Sequence, residues 1–313
     1  MLMLSALALL PWAQALAANG SLKPISSLLP DGELRIISWN VQRLSPLNSK
    51  TNKAGHRTPA QLSLLADMLD ALDADMVFLQ EISSSLALRP LLPDTHHAIL
   101  SAAGRNMKQA ILIRKPLLPY IRPITLASLN NTGTVRDGIG LAFDFGAHQV
   151  SVLGVHLKSS CHQRPLSYPS AACKQLQAQL KILKNWISAR IDADDAFIIV
   201  GDFNRRLDLE PTPNSAFIYK PSAHYNPLDW MWPALFDENA SGYAASLVRP
   251  NRFQRSKCHH GKYQYFIDHM IMNELAAGLI ALDSFKEYLV DLPLHTQKSL
   301  SDHCPIGLSL AVQ

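Results

Sequence analysis

The chain has 313 residues, 48% of them hydrophobic and 17% charged, which supplies apolar material for a large core and excludes a disordered or fibrous protein. Lys and Arg number 29 against 25 Asp and Glu, a formal net charge of +4, so an anionic partner is permitted without being demanded. The length suits one large domain or two ordinary ones.

The first residues, MLMLSALALLPWAQALAANG, are an apolar run that ends in small residues, and Ala15-Leu16-Ala17 matches the A-x-A pattern of a signal-peptidase site. The segment 1–18 is therefore read as a secretory signal peptide, although no Lys or Arg precedes its apolar part. A short membrane anchor is the runner-up reading, although the run is shorter than the roughly 20 residues a membrane span needs. A polar lead-in, 19–33, follows, and no repeat, low-complexity tract or linker divides 34–313, which is taken as one α/β domain. A secreted or periplasmic protein is expected.

The strand pattern LRIISWN (34–40) ends in Asn40. RTPAQLSLLADMLDAL predicts a helix with Thr58 as N-cap, Pro59 in the first turn and Leu62, Leu65, Leu69 and Leu72 on one face. DMVFLQE (75–81) ends in Glu81, and QAILIRK (109–115) and IGLAFDF (139–145) are further apolar runs, the latter preceded by Arg136. VSVLGVHL (150–157) carries His156. A second helix is predicted from about 172 to 190, with Leu176, Leu180, Leu183 and Ile187 as its buried stripe. AFIIVGD (196–202) breaks into Gly-Asp-Phe-Asn. Because residues i and i+2 of a strand point the same way, Asp202 and Asn204 are expected to project together from a strand end. The stretch Asn204 to Tyr263 lacks periodicity and reads as surface loops, with LDWMWPALF (228–236) as core packing. YFIDHMIM (265–272) carries Asp268 and His269, and CPIGLSLAV (304–312) follows Asp302 and His303. Such short continuous apolar runs suit sheets covered on both faces.

Four cysteines fit an oxidising compartment and allow three pairings. Cys161 with Cys173 is favoured, and Cys304 is expected as a buried thiol within a strand. Cys258-His259-His260 lacks a second spaced ligand pair, so it reads as a loop without metal. Lys158, Arg205 and Arg206 are taken as exposed charges, and His269, facing away from Asp268, as structural.

Polar residues thus recur at strand ends: Asn40, Glu81, His156, Asp202, Asn204, Asp268, Asp302 and His303. Carboxylates with an amide suit a hard cation such as Mg2+, which takes oxygen ligands and keeps waters. Amides and imidazoles can hydrogen-bond phosphoryl oxygens as charge moves in the transition state, and Asp or His can orient or deprotonate a water. The set reads as metal-assisted phosphoryl hydrolysis.

At these residues the sequence resembles the endonuclease/exonuclease/phosphatase superfamily, which includes pancreatic-type deoxyribonucleases, abasic-site endonucleases, inositol-polyphosphate phosphatases and bacterial sphingomyelinases. The resemblance rests on SWN, LQE, GVHLKS, GDFN, IDH and SDHCP, in that order along nearly all of the mature chain. It implies a four-layer α/β sandwich, two mixed β-sheets packed face to face with helices outside. It also implies Glu81 as the main Mg2+ carboxylate, with Mn2+ or Ca2+ as alternative ions, Asn40 beside it and Asp302 as a second acidic contact. Asp202 would orient or deprotonate the water, Asn204 would hold the phosphate, and His303, steadied by Asp268, would contact the scissile phosphate. His156 would act on the phosphate or leaving oxygen. Arg136 sits where relatives place a phosphate contact, though a solvated loop arginine is an equal reading. Gln42 stands where some abasic-site enzymes have an acidic residue, which favours a single metal.

The superfamily's core serves several substrates. Export, basic charge and the GVHLKS histidine favour a sequence-nonspecific nuclease on DNA or RNA, monomeric and without stable membrane association. A phosphatase or phospholipase C-type hydrolase of phosphoinositide or sphingomyelin is the alternative. A non-catalytic binding protein ranks below both, because the principal motif residues are all present.

Overall fold

A computed structural model of the chain describes residues 24–47, 57–102, 107–162, 164–207, 210, 229–236, 245–248, 255–258, 265–289 and 300–312. Twelve strands are described: β1 (Glu33–Leu44), β2 (Met76–Ile82), β3 (His96–Leu100), β4 (Lys108–Arg114), β5 (Arg122–Leu126), β6 (Gly138–Phe145), β7 (His148–His156), β8 (Ala196–Asp202), β9 (Ala245–Val248), β10 (Asp268–Asn273), β11 (Lys286–Glu287) and β12 (Ile306–Ala311). The α-helices among these residues are α1 (Pro59–Ala71), α2 (Ser85–Leu88), α3 (Ala171–Asp192), α4 (Met231–Leu235) and α5 (Glu274–Ala277).

The strands form two six-stranded sheets, ordered β11-β12-β1-β2-β4-β3 and β5-β6-β7-β8-β10-β9. Each is mixed by virtue of one parallel pair, β1 with β2 and β7 with β8, the other pairings being antiparallel. Parallel neighbours need a crossover connection. Helices α1 and α3 supply the two crossovers.

Alternation along the central strands builds the layers. Ile36 and Phe78 of one sheet meet Phe143, Val152, Ile198 and Val200 of the other in the inter-sheet core. Their chain neighbours Ile37, Val77 and Leu79 face α1 through Leu65 and Leu69, while Phe197 and Ile199 face α3 through Leu176, Leu180 and Leu183. Strands buried on both faces must be apolar throughout, which is why they read as continuous runs. This is the expected four-layer α/β sandwich.

Helix α1 begins with a reciprocal cap: Gln61 N–H donates to Thr58 Oγ1 at 3.2 Å, and Thr58 N–H donates to Gln61 Oε1 at 2.9 Å. In α3 the Cys173 N–H donates to Ser170 Oγ at 3.1 Å. The sheet residues matched the apolar runs except at the margins. Strands β3, β5, β9 and β11 were not expected, and all four are sheet edges. Edge strands are less apolar and admit proline, as Pro123 in β5 illustrates.

Cys161 pairs with Cys173, Cα atoms 5.1 Å apart, as favoured. The expected free thiol at Cys304 is corrected: it is bonded to Cys258, Cα atoms 5.5 Å apart. The reason is local. Strand β12 starts at Ile306, leaving Cys304 in the approach to it, where it meets the 255–258 segment. Arg206, also expected to be exposed, is buried, and Arg205 is a second correction. Its guanidinium is fully buried, paired with Glu210 and donating to the carbonyls of Cys161 and Arg164, because Glu210, outside any periodic pattern, provides the countercharge a buried cation requires.

In the lead-in, the turn Ile25–Leu28 places Ile25 fully buried in the inter-sheet core. The segment 1–18, His259, His260 and most of 204–263 lie outside the described residues. Within the rest, Met231, Trp232 and Leu235 of α4 pack in the core beneath α3, as expected of LDWMWPALF. No helix among the described residues is long and apolar enough to cross a membrane.

Candidate active site

The two parallel pairs end at one rim of the sandwich. Asn40 lies opposite Gln80 in the β1–β2 register, and Glu81 is the next residue. His156 lies opposite Asp202 at the ends of β7 and β8. Strand β10 runs antiparallel to β8, so its first residue, Asp268, falls opposite Asp202 at the same rim.

The backbone there takes conformations that L-residues seldom adopt. Gln42, Arg43, Glu81 and Asn204 have φ of 48°, 53°, 64° and 52°, the kind of local strain that clusters at working sites. Gly201 has φ 136°, and a Cβ on it would fall 2.0 Å from the Val155 carbonyl oxygen. Only glycine fits before Asp202.

Asp202 is held by both oxygens. Its Oδ1 accepts the Asn204 N–H at 2.8 Å and its Oδ2 accepts Asn40 Nδ2 at 3.0 Å. His156 Nε2 lies 3.5 Å from that Oδ2 and 3.9 Å from Glu81 Oε1. Glu81 Oε2 accepts the Arg43 N–H at 2.8 Å, while Oε1 faces Asn40 Nδ2 at 3.5 Å. Asn204 gives one side-chain N–H to the Leu157 carbonyl at 3.1 Å, leaving the other. His303 Nδ1 bonds Asp268 Oδ2 at 2.6 Å, and its Nε2 stands 4.0 Å from Asp202 and 3.8 Å from Asp302. Asp302 is exposed at the rim. Arg136 is the remaining expected residue, close enough for Glu81 and Asp202 to act on its charge.

These contacts set the charges. Burial lifts the Asp202 carboxyl to about 6, Asp268 adding to this and His303 opposing it. Burial disfavours a charged His303, but Asp268 by charge and hydrogen bond, with Asp202 and Asp302, overcomes it and raises the ring to about 10. Burial holds His156 well below the ordinary histidine value, reinforced by the charges of Arg136 and His303. At neutral pH the site thus contains an imidazolium at 303 and a neutral imidazole at 156.

Asp202, Asp268 and His303 bring possible ligand atoms within 4.8 Å of one another. A protonated ring donates and does not ligate, so His303 is read as the hydrogen-bonded partner of Asp268, with Asp202 4.0 Å from its other nitrogen. Oxygen donors for a hard divalent cation are instead offered by Glu81, by the second lone pair of Asn40 Oδ1, whose first accepts the Gln42 N–H at 3.0 Å, and by Asp302. Glu81 and Asp302 both act on the charge of Arg57. The donor chemistry fits such an ion.

Supports that sequence reasoning missed lie behind these groups. Arg57 donates to the carbonyls of Gln42 at 2.8 Å and Leu300 at 2.7 Å, tying the β1 rim to the 300–303 segment. Ser301 Oγ donates to the Asn40 carbonyl at 2.6 Å and accepts the His303 N–H at 3.1 Å. Trp39 Nε1 donates to the His303 carbonyl at 3.0 Å. Buried Gln179 accepts the Lys158 N–H at 2.9 Å; a polar residue inside the apolar stripe of α3 was its only sequence signal. His269 bonds the Arg205 carbonyl at 2.7 Å, away from the site, as its strand phase requires.

The model of the endonuclease/exonuclease/phosphatase family matches residues 37–303, from the middle of β1 to His303. The chain belongs to this family. Its members are metal-dependent phosphoric ester hydrolases, so the chain is an enzyme of that kind with a nuclease-like fold. No curated protein sequence matches it. Among solved structures it is similar to truncated TDP2 of Caenorhabditis elegans, at 17% identity and TM-score 0.53 over 90% of this chain and 98% of that one. D. rerio TDP2, complexed with a single-strand DNA product, is 16% identical with TM-score 0.54 over 90% and 100%. An AP endonuclease from Archaeoglobus fulgidus is 13% identical with TM-score 0.55 over 89% and 100%. At these identities the likeness shows the fold.

Proposed function

We propose that the protein is an exported, Mg2+-dependent phosphodiesterase that hydrolyses nucleic-acid backbones without reading base sequence. The observation that carries this is the convergence of Asn40, Glu81, His156 and Asp202 with the Asp268–His303 pair at one rim, contributed by both sheets.

Glu81, Asn40 and Asp302 would hold the cation, which when bound neutralises phosphoryl charge. His303, kept protonated by Asp268, donates Nε2–H to a non-bridging oxygen of the scissile phosphate, where negative charge grows. Asp202, as the carboxylate, accepts the proton of the attacking water, its carboxyl of about 6 matching that role near neutrality. Neutral His156 and the remaining N–H of Asn204 orient phosphoryl oxygens. Arg136 supplies a further positive charge for the phosphate.

Nucleic acid as substrate is supported by the chain's positive charge, by Arg136 and Lys158 near the site, and by the DNA product bound to a protein of the same fold. Export is supported by the signal-like segment 1–18 and by two disulfides. A monomer is the proposed state. The test is incubation of the purified protein with supercoiled plasmid, with Mg2+ and with chelator, beside Asp202→Ala. Magnesium-dependent nicking lost in the variant is expected. Plasmid left intact in all conditions refutes the nuclease reading and moves the assay to phosphomonoesters and phospholipids.

A further inference from the structure

Beside the site is a group of cations and rings that the mechanism does not use. Arg206 follows Asn204 by two residues, and Tyr265 precedes Asp268 by three. The two segments are joined where the Phe203 N–H donates to the Ile267 carbonyl at 2.9 Å. Tyr265 is contacted by two guanidiniums: Arg255 lies 3.9 Å and Arg206 4.7 Å from its ring centroid. A second pair, Arg164 over Tyr168 at 4.0 Å, is exposed on both partners. It is tied to the same stretch, since Arg205 Nη1 donates to the Arg164 carbonyl at 2.9 Å.

The chemistry of this flank points outward. Arg255 and Arg164 have no carboxylate partner among the described residues. Glu287, which faces the segment carrying Arg255, is engaged by Ser256 Oγ at 2.6 Å and by the Lys257 N–H. Guanidiniums attract phosphates, and a guanidinium stacked on a tyrosine, half-buried at Tyr265 and exposed at Tyr168, offers a planar face to a base. Bases within a duplex are already stacked and cannot use such a face. Unpaired ones can.

We propose that Arg255–Tyr265 and Arg164–Tyr168 form a subsite for single-stranded nucleic acid, taking nucleotides that flank the scissile phosphate on the β8–β10 side. The subsite rests on the nuclease reading above and adds a preference within it: unpaired strands over duplex. Arg206 contacts Tyr265 from the GDFN side, so this pair adjoins the segment that carries Asp202.

The experiment compares three substrates, a labelled single-stranded oligonucleotide, the same sequence as a duplex, and bis(p-nitrophenyl) phosphate, which has no flanking nucleotides. The proteins are wild type, Arg255→Ala, Tyr265→Ala, Tyr168→Ala and Tyr265→Phe, each checked by circular dichroism and thermal melting. Wild type should prefer the single strand. Each alanine variant should raise KM for the single strand roughly tenfold, the loss of about one stacked base or phosphate contact, with bis(p-nitrophenyl) phosphate turnover unchanged. Tyr265→Phe keeps the ring and should behave as wild type. Arg255→Ala should also flatten the salt dependence of single-strand binding by about 0.7 in log–log slope. Oligonucleotide cleavage unaltered in all three alanine variants, or lost in step with the small diester, overturns the subsite while leaving the nuclease reading intact. Wild-type turnover of the small diester with no cleavage of either oligonucleotide overturns both.

Discussion

Asp268→Asn removes the charge that keeps His303 protonated while retaining a hydrogen-bonding side chain of the same size. In the native site the ring titrates at about 10 against an ordinary 6.5, despite burial that pulls the other way. At about 1.4 kcal/mol per tenfold, that interval is worth on the order of 5 kcal/mol, and Asp268, at 2.6 Å, is its principal source. Without the carboxylate, burial is opposed only by Asp202 and Asp302, so the His303 value should fall from about 10 toward the ordinary 6.5 and a much smaller share of the molecules would carry the imidazolium at pH 7.5. The lower limb of the wild-type profile is set by Asp202 near 6 and the upper by His303 near 10. The plateau of kcat/KM between them should collapse to a narrow, low maximum near pH 6 in the variant, with at least a tenfold loss at pH 7.5. The sign for stability is the same. A ring whose folded value is raised contributes stability that is complete below 6.5 and is lost as pH climbs through about 10, so the difference in melting temperature between wild type and Asp268→Asn should shrink across that interval. A variant profile that keeps its upper limb near pH 10, measured on a small diester to avoid substrate effects, would refute this role of Asp268.

Glu81→Gln should lower metal-dependent turnover at least a hundredfold and weaken Mg2+ binding measured by calorimetry, with the melting temperature within a few degrees of wild type. Arg205→Met leaves Glu210 buried without its countercharge and should cost about 3–5 kcal/mol in denaturant unfolding, far more than the same change at exposed Arg43. Breaking Cys258–Cys304, which spans 46 residues, should cost about 4 kcal/mol against about 3 for the 12-residue Cys161–Cys173 link, so the Cys258→Ser/Cys304→Ser protein should melt below the Cys161→Ser/Cys173→Ser one.

How far the sequence reveals this molecule depends on where each residue sits in the layers. Ile36 to Asn40, Val77 to Glu81 and Phe197 to Asp202 are sandwiched between the facing sheet and a helix, and that double burial leaves a long apolar run with an abrupt polar end. Both the strand and its functional terminus are visible in such a pattern. Strand β5, at an edge with Pro123, and the two-residue β11 carry no such pressure and look like loops. The candidate site residues stand out in the sequence because amides, carboxylates and imidazoles interrupt apolar runs at those ends. Their supports were not. Arg57 acts on backbone carbonyls, which any sequence possesses, and Arg205 looks like a solvated charge until Glu210, in an aperiodic stretch, is found beside it. Cys304 was misjudged by two residues of strand boundary, enough to turn a bonded cysteine into an apparent core thiol.

The first and last described strands, β1 and β12, are neighbours, and Ser301 with Arg57 fastens the segment before β12 to the carbonyls at the end of β1. His303 therefore reaches Asp202 only after the chain has doubled back across its whole length to close the first sheet. A ribosome-bound or threading polypeptide holds Asn40, Glu81 and Asp202 long before it has an imidazolium to set against them. The strand order thus leaves the site without this histidine until β12 is seated against β1.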